Sequence, residues 1–195
     1  MTTARKWPAI GGLVGPAGFI AAWSLLGDRA SGYEPVTDAI SQLAATGAAT
    51  RTAMTAGLVA LGAGVGVHAV ALRDHLPGYA WMAAAATGLS ALGVAAFPLG
   101  GSVRDAVHGA FAGAGYVSLA ALPILAARPL AARGDRSLAR LSTATGVLTA
   151  VCLAATVLDG GDGLLQRVGL TAGHLWIMAS AGAVFGGDAP APTEP

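Results

Sequence analysis

Six runs of apolar residues, separated by short polar segments, make up most of the chain. Each run has about 19–23 residues, enough at about 1.5 Å rise per residue to cross the ~30 Å hydrocarbon layer of a bilayer. The pattern therefore predicts an all-α, polytopic membrane protein with a single six-helix transmembrane domain over residues 1–187. The predicted spans are 9–27, 52–72, 79–97, 106–127, 139–158 and 164–186.

One polar stretch, YEPVTDAISQLAATG at residues 33–47, stands apart from these runs. Pro35 suits the first turn of a helix and Gly47 suits its end. The stretch predicts a short helix between the first two spans, lying on the outer membrane surface with its apolar side down. Its apolar side is Val36, Ile40 and Leu43, and its polar side is Asp38, Ser41 and Gln42. The polar side either contributes to a site or only meets water.

Composition supports the membrane assignment and argues against nucleic-acid binding. Hydrophobic residues are 54% and charged residues 11% of the 195, whereas soluble domains carry about 25% charged residues. The mean hydropathy is +0.64. The net charge of +1 lacks the concentrated basic surface that nucleic acids require. Cys152 is the lone cysteine, so no intramolecular disulfide can form.

The distribution of basic residues predicts how the protein lies in the membrane. RPLAARGDRSLAR, residues 128–140, contains four arginines, and such loops stay on the cytoplasmic side. This orientation makes both termini cytoplasmic and the 33–47 stretch extracytoplasmic. Ten arginines against one lysine suggest a GC-rich bacterial genome and hence the bacterial cytoplasmic membrane. We expect the first run to be a retained helix rather than a cleaved signal, and residues 188–195 to be disordered.

Ionisable residues near the outer ends of two spans suggest a working surface. Such residues cost about 2.5–3.5 kcal/mol within a membrane segment, so they usually face the bundle interior or a wet cavity. The candidates are Arg104, Asp105 and His108 in VRDAVHGAF, Arg167 and His174 in LLQRVGLTAGHLW, and Asp38, Ser41 and Gln42 on the same side. We expect them to form an extracytoplasmic polar pocket that binds a lipid head group or a small anion.

Other interpretations of the same residues stay open. Asp105 and His108 could be the acid and base of a membrane-embedded hydrolase acting on an outer-leaflet substrate. With His174 they could hold a metal, although an i, i+3 pair plus one distant histidine has low specificity. Alternatively, both arginines reach lipid phosphates and the histidines bond nearby carbonyls. A third possibility is a structural partner that packs against another membrane complex through its glycine faces. We expect no cofactor; the expected partners are membrane lipids and a membrane protein, not nucleic acid.

Small residues predict where helices cross closely. Pairs of glycines four residues apart let two backbones approach. In the fifth span, hydroxyl-bearing and small residues at 3, 4, 3, 4 spacing predict a seam facing other helices. The glycine pairs are Gly11/Gly15, Gly62/Gly66 and Gly109/Gly113, and the seam is Ser142, Thr145, Thr149, Cys152 and Thr156.

The stretch YEPVTDAISQL, followed by a glycine-rich second span, resembles a bacterial and archaeal family known as domain of unknown function 998 (DUF998). Two looser matches are Phe97, Pro98 and His108 around the third and fourth spans, and Gly163 and Arg167 at the start of the sixth. Where the family usually has Leu-Gly, this chain reads LAATG. The resemblance implies a six-helix membrane fold and implies no activity.

Overall fold

A computed structural model describes residues 6–158 and 163–186. Within them the fold is all-α, as predicted, and the expected tail at 188–195 lies outside them. The helices are α1 (Ala9–Gly27), α2 (Arg51–His75), α3 (Ala80–Ala96), α4 (Ser102–Ala132), α5 (Arg136–Leu158) and α6 (Gly163–Gly186). Five are long and apolar enough to cross a membrane, whereas α3 has 17 residues, about 26 Å of helix.

The helices form a ring in which each packs against the helix before it, and α6 closes the ring against α1. Neighbours are antiparallel: Gly12 of α1 faces Ala181 of α6 near one end, and Phe19 faces His174 further along. The ring therefore has two distinct ends. We call the end covered by residues 28–50 the capped end, and the end with the α4–α5 connection, residues 133–135, the basic end.

Glycines set the two closest helix crossings. A Cβ on Gly64 of α2 would lie 2.6 Å from the carbonyl oxygen of Gly11 on α1, and a Cβ on Gly88 of α3 would lie 2.7 Å from that of Gly62. No side chain fits at such distances. The third predicted pair was wrong, because a Cβ on Gly109 or Gly113 would meet no atom within 4 Å.

The polar stretch between α1 and α2 is less helical than its pattern predicted. It forms a turn at residues 35–37 and then a 3-10 helix, Ile40–Ala44. The Asp38 carboxylate accepts a hydrogen bond from the Glu34 amide at 2.8 Å, and the Thr50 hydroxyl donates to the Leu43 carbonyl at 2.7 Å. These local bonds compete with helix formation. Ile40 and Leu43 are buried, but Val36 is 54% exposed, so the predicted apolar stripe holds for two of its three members.

Candidate functional site

Arg167, at the capped end of α6, ties the stretch between α1 and α2 to the bundle. Its side chain is only 8% exposed. One guanidinium nitrogen, Nη1, donates to the carbonyl oxygens of Pro35, of Asp38 at 3.0 Å and of Gly163 at 2.8 Å. The other, Nη2, donates to the Tyr33 hydroxyl. The guanidinium group thus binds backbone carbonyls of residues 28–50, the segment that we call the cap.

Two aromatic rings complete the surroundings of Arg167. The guanidinium carbon lies 5.4 Å from the centroid of the Trp23 ring and 5.5 Å from that of Tyr33, distances at which a cation is attracted to a ring face. Burial raises the pKa of the Tyr33 hydroxyl above its ordinary value, and the neighbouring guanidinium partly offsets this rise. Tyr33 therefore stays neutral at physiological pH and can accept the bond from Nη2.

Gln166, the residue before Arg167, makes a second attachment. Its carbonyl oxygen accepts a hydrogen bond from the Ile40 amide at 2.7 Å, and its amide nitrogen donates to the hydroxyl of Tyr116 on α4. One buried side chain therefore joins the first residue of the 3-10 helix to two different transmembrane helices. The bond from Ile40 to Gln166 also gives the Ile40 amide a partner, without which it would be buried unpaired.

Beneath this cap lies a chamber of about 560 Å³ inside the ring. Its roof is formed by Ala39, Ile40 and Ser41, and all six helices contribute to its wall. Most of the wall is apolar, including Leu58, Val94, Phe111, Leu119 and Leu170. The polar wall residues include Thr87, Ser90, His108, Tyr116, Thr156, Gln166 and His174.

His108 has a fixed orientation in the chamber wall. Its Nδ1 lies 2.8 Å from the carbonyl oxygen of Phe97 at the end of α3. A carbonyl only accepts, so Nδ1 carries the hydrogen and Nε2 of the neutral ring is an acceptor. Nε2 has no hydrogen-bond partner in the described part of the chain. The chamber therefore presents one oriented acceptor on α4.

His174 lies on α6, across the chamber from its roof. It is 1% exposed, and the edge of its ring meets Phe19 with centroids 5.4 Å apart. Its buried Nδ1 has no hydrogen-bond partner among the described residues. Buried polar atoms are normally paired, and His174 places a buried imidazole in the chamber wall.

The structure divides the candidates predicted from the sequence. Ser41, His108 and His174 line the chamber. The other five do not: Asp38, Gln42, Arg104, Asp105 and Arg167. Gln42 and Arg104 are exposed. Asp38 lies in the cap, and Arg167 on α6 donates hydrogen bonds to it. The Asp105 carboxylate accepts hydrogen bonds from the amides of Gly100 and Gly101, at 2.8 and 3.3 Å, and so stabilises the start of α4.

Asp105 and His108 bond to different backbone groups rather than to each other. No hydrogen bond joins Asp105 to His108 in residues 6–158. No cluster of three His, Cys, Asp or Glu side chains within the described residues could hold a metal ion. The three low-specificity candidates Asp105, His108 and His174 are therefore separate groups with separate surroundings.

Sequence reasoning missed Gln166 and Tyr116. The rule that singled out Arg167 applies equally to a buried amide next to it, so Gln166 could have been found. Tyr116 had no such signal, because a tyrosine in a span is ordinary. Its role depends on the rotation of α4 relative to α6, which the hydropathy pattern leaves open.

Comparison with known proteins gave one match. The model of a family described as "Protein of unknown function (DUF998)" matches residues 13–183. That range runs from the second turn of α1 to the last turn of α6. Neither the curated proteins nor the solved structures gave a match.

Proposed function

Since this chain belongs to the DUF998 family of proteins of unknown function, we propose its function from the chamber: this integral membrane protein binds a lipid beneath its cap. The apolar part of the lipid occupies the chamber, and its polar part meets His108 and His174. One observation carries the proposal, a largely apolar chamber whose wall includes the two buried imidazoles of His108 and His174. A volume of about 560 Å³ is ordinary for a ligand site.

The wall favours a lipid over a small anion. No arginine or lysine of the described residues lines the chamber. Arg167, the buried candidate for anion binding, spends its Nη donors on the cap, and Arg104 is exposed. A small anion would lose its hydration without gaining a cation. An apolar chain gains from leaving water.

The hydrolase interpretation has weaker support. His108 Nε2 could act as a base, because Nδ1 is held by the Phe97 carbonyl. Its expected partner Asp105 is instead bonded to two backbone amides. A histidine without an orienting acid or a nucleophile beside it falls short of the usual hydrolase arrangement. We therefore propose binding and not catalysis.

We propose further that the capped end faces out of the cell and both termini face the cytoplasm. The cluster of arginines at the basic end supports this orientation. We also propose that α3 is a sixth span despite its length. Its support is the antiparallel ring, in which α2 ends at the basic end and α4 begins at the capped end. A short helix is accommodated by local thinning of the bilayer.

Filling the chamber tests lipid binding. Gly113 lines the chamber, and a Cβ there meets no atom within 4 Å, so Gly113→Leu begins its added side chain in open space. We expect it to reduce the lipid that co-purifies with the protein, measured by mass spectrometry after mild detergent extraction, by about tenfold. The matched control is Gly182→Leu on exposed α6 surface, which also has open space and should retain the lipid.

A second variant probes the polar contact. His174→Leu keeps a similar volume and removes the unpaired nitrogen. If the chamber binds a lipid through this ring, the variant should fold, as judged by circular dichroism, and should lose the bound lipid. Equal lipid content in the original protein and in both chamber variants would refute the proposal.

A further inference from the structure

A second site lies on the opposite half of the molecule, outside the ring. A groove of about 1010 Å³ runs between α4 and α5 from the basic end. Its end is lined by Arg128 of α4 and by Arg136 and Arg140 of α5. Further along α5 its wall is apolar, with Val147, Leu148 and Val151 all exposed. Val151 lies about 22 Å beyond Arg136 along the helix, so the groove reaches deep into the hydrocarbon layer.

The three arginines have no counterion among residues 6–158 and 163–186. Each is exposed, and none has a hydrogen bond or an ion pair in the described part of the chain. No carboxylate lines the groove. The nearby Asp135 instead accepts a hydrogen bond from the Leu138 amide at 3.0 Å, where it caps α5. Arg136 and Arg140 are four residues apart and so share one helix face. Within the described residues, the end of the groove is therefore a concentration of positive charge without a paired carboxylate.

We propose that this groove binds an anionic phospholipid from the leaflet at the basic end. The lipid phosphate lies among the guanidinium groups, which suit phosphate oxygens by their charge and forked geometry. One acyl chain follows the apolar wall past Leu148. A phospholipid combines these two chemistries in the required order along the membrane normal. An acidic peptide would match only the charged end. This inference is independent of the chamber and of which leaflet is cytoplasmic.

Photo-crosslinking in liposomes tests the proposal. The full chain is reconstituted in phosphatidylcholine with a small fraction of a photoactivatable phosphatidylglycerol, and crosslinked peptides are mapped by mass spectrometry. We expect crosslinks concentrated in residues 127–151. Unlabelled phosphatidylglycerol should displace the probe. An equal addition of phosphatidylcholine should not, because its choline cation cancels the phosphate charge, and inorganic phosphate should not, because it has no acyl chain.

Paired variants separate this site from general attraction to an anionic surface. Arg136→Gln with Arg140→Gln should reduce crosslinking in this segment by about tenfold, because each arginine near an anionic lipid contributes to binding. Arg29→Gln with Arg51→Gln changes the total charge equally at the capped end and should leave it unchanged. Crosslinks spread evenly around the bundle, an equal loss in both variants, or displacement by phosphatidylcholine would overturn the proposal. The competition experiment with unlabelled lipids uses the unaltered protein, so it tests the proposal even if a variant misfolds.

Discussion

Arg167 shows how backbone carbonyls can bind a buried arginine at the end of a transmembrane helix. Its guanidinium meets three carbonyl oxygens and a phenol, and two aromatic faces lie nearby. Backbone carbonyls are partial negative charges that need donors when helices end and loops turn. One cation therefore satisfies several acceptors that the cap would otherwise bury unpaired. The residue holds the cap in place, and the cap forms the roof of the chamber.

Replacing this arginine should loosen the cap. Arg167→Gln removes most of the donors to Pro35, Asp38 and Tyr33. We expect the free energy of unfolding to fall by about 2–3 kcal/mol, the range for losing hydrogen bonds to a charged group. Thermal unfolding in detergent, followed by circular dichroism, measures the change. Arg104→Gln removes the same charge from an exposed site and should change stability by less than about 0.5 kcal/mol. Similar melting of both variants would contradict the cap role.

At the scale of single residues, the sequence predicted which polar side chains are buried but not which atoms they contact. The cost of burying polar atoms in hydrocarbon singled out Arg167, His108 and His174, and all three are buried. It could not show that Arg167 faces the cap while His174 faces the chamber. That difference comes from which backbone carbonyls the loop brings near each helix face. Carbonyls occur at every residue and so leave no pattern in a sequence.

Among the helices, the hydropathy pattern predicted the six helical segments well and the ends of the helices less well. The run at 106–127 corresponds to α4, which continues to Ser102 and Ala132. Its extra turns contain Arg104, Asp105 and Arg128, which are polar although helical. The predicted seam of α5 faces other helices: Ser142, Thr149, Cys152 and Thr156 are buried, and Thr145 is half-buried. Hydropathy thus reports the bilayer contact, not the helix boundary.

The close crossing of α1 and α2 predicts the effect of a single substitution on stability. Gly64→Ala places a methyl group 2.6 Å from the Gly11 carbonyl oxygen and 2.9 Å from the Gly15 Cα. Both are backbone atoms, so the helices must separate. We expect a destabilisation of about 1–3 kcal/mol, measured by thermal unfolding in detergent.

Gly66→Ala is the matched control for this crossing. It makes the same change on the same helix, where a Cβ meets nothing within 4 Å. Because alanine favours helix over glycine by about 1 kcal/mol, this variant should be neutral or slightly more stable. A control that loses as much stability as Gly64→Ala would show that the crossing is looser than described.

For the whole molecule, the ring and its chamber follow from how the helices rotate against one another. Six antiparallel neighbours can close in a ring around a packed centre or around a space. Here the centre is filled toward the basic end by Leu122, Ile177 and their neighbours, and it stays open under the cap. The sequence predicted the side on which polar groups gather. It could not predict a chamber, because cavity volume depends on every helix rotation together.

The two ends of the molecule differ in charge and in covering, and this asymmetry makes orientation testable. On a background of Cys152→Ala, single cysteines are placed at Thr37 in the cap and at Ala132 beside the basic loop, both exposed positions. A membrane-impermeant maleimide applied to intact cells should label the first, and should label the second only after permeabilisation. The physical reason is that arginine-rich loops resist transfer across the membrane, so residues 128–140 hold the basic end inside. The reverse labelling would place the chamber roof in the cytoplasm, and its lipid would then come from the inner leaflet.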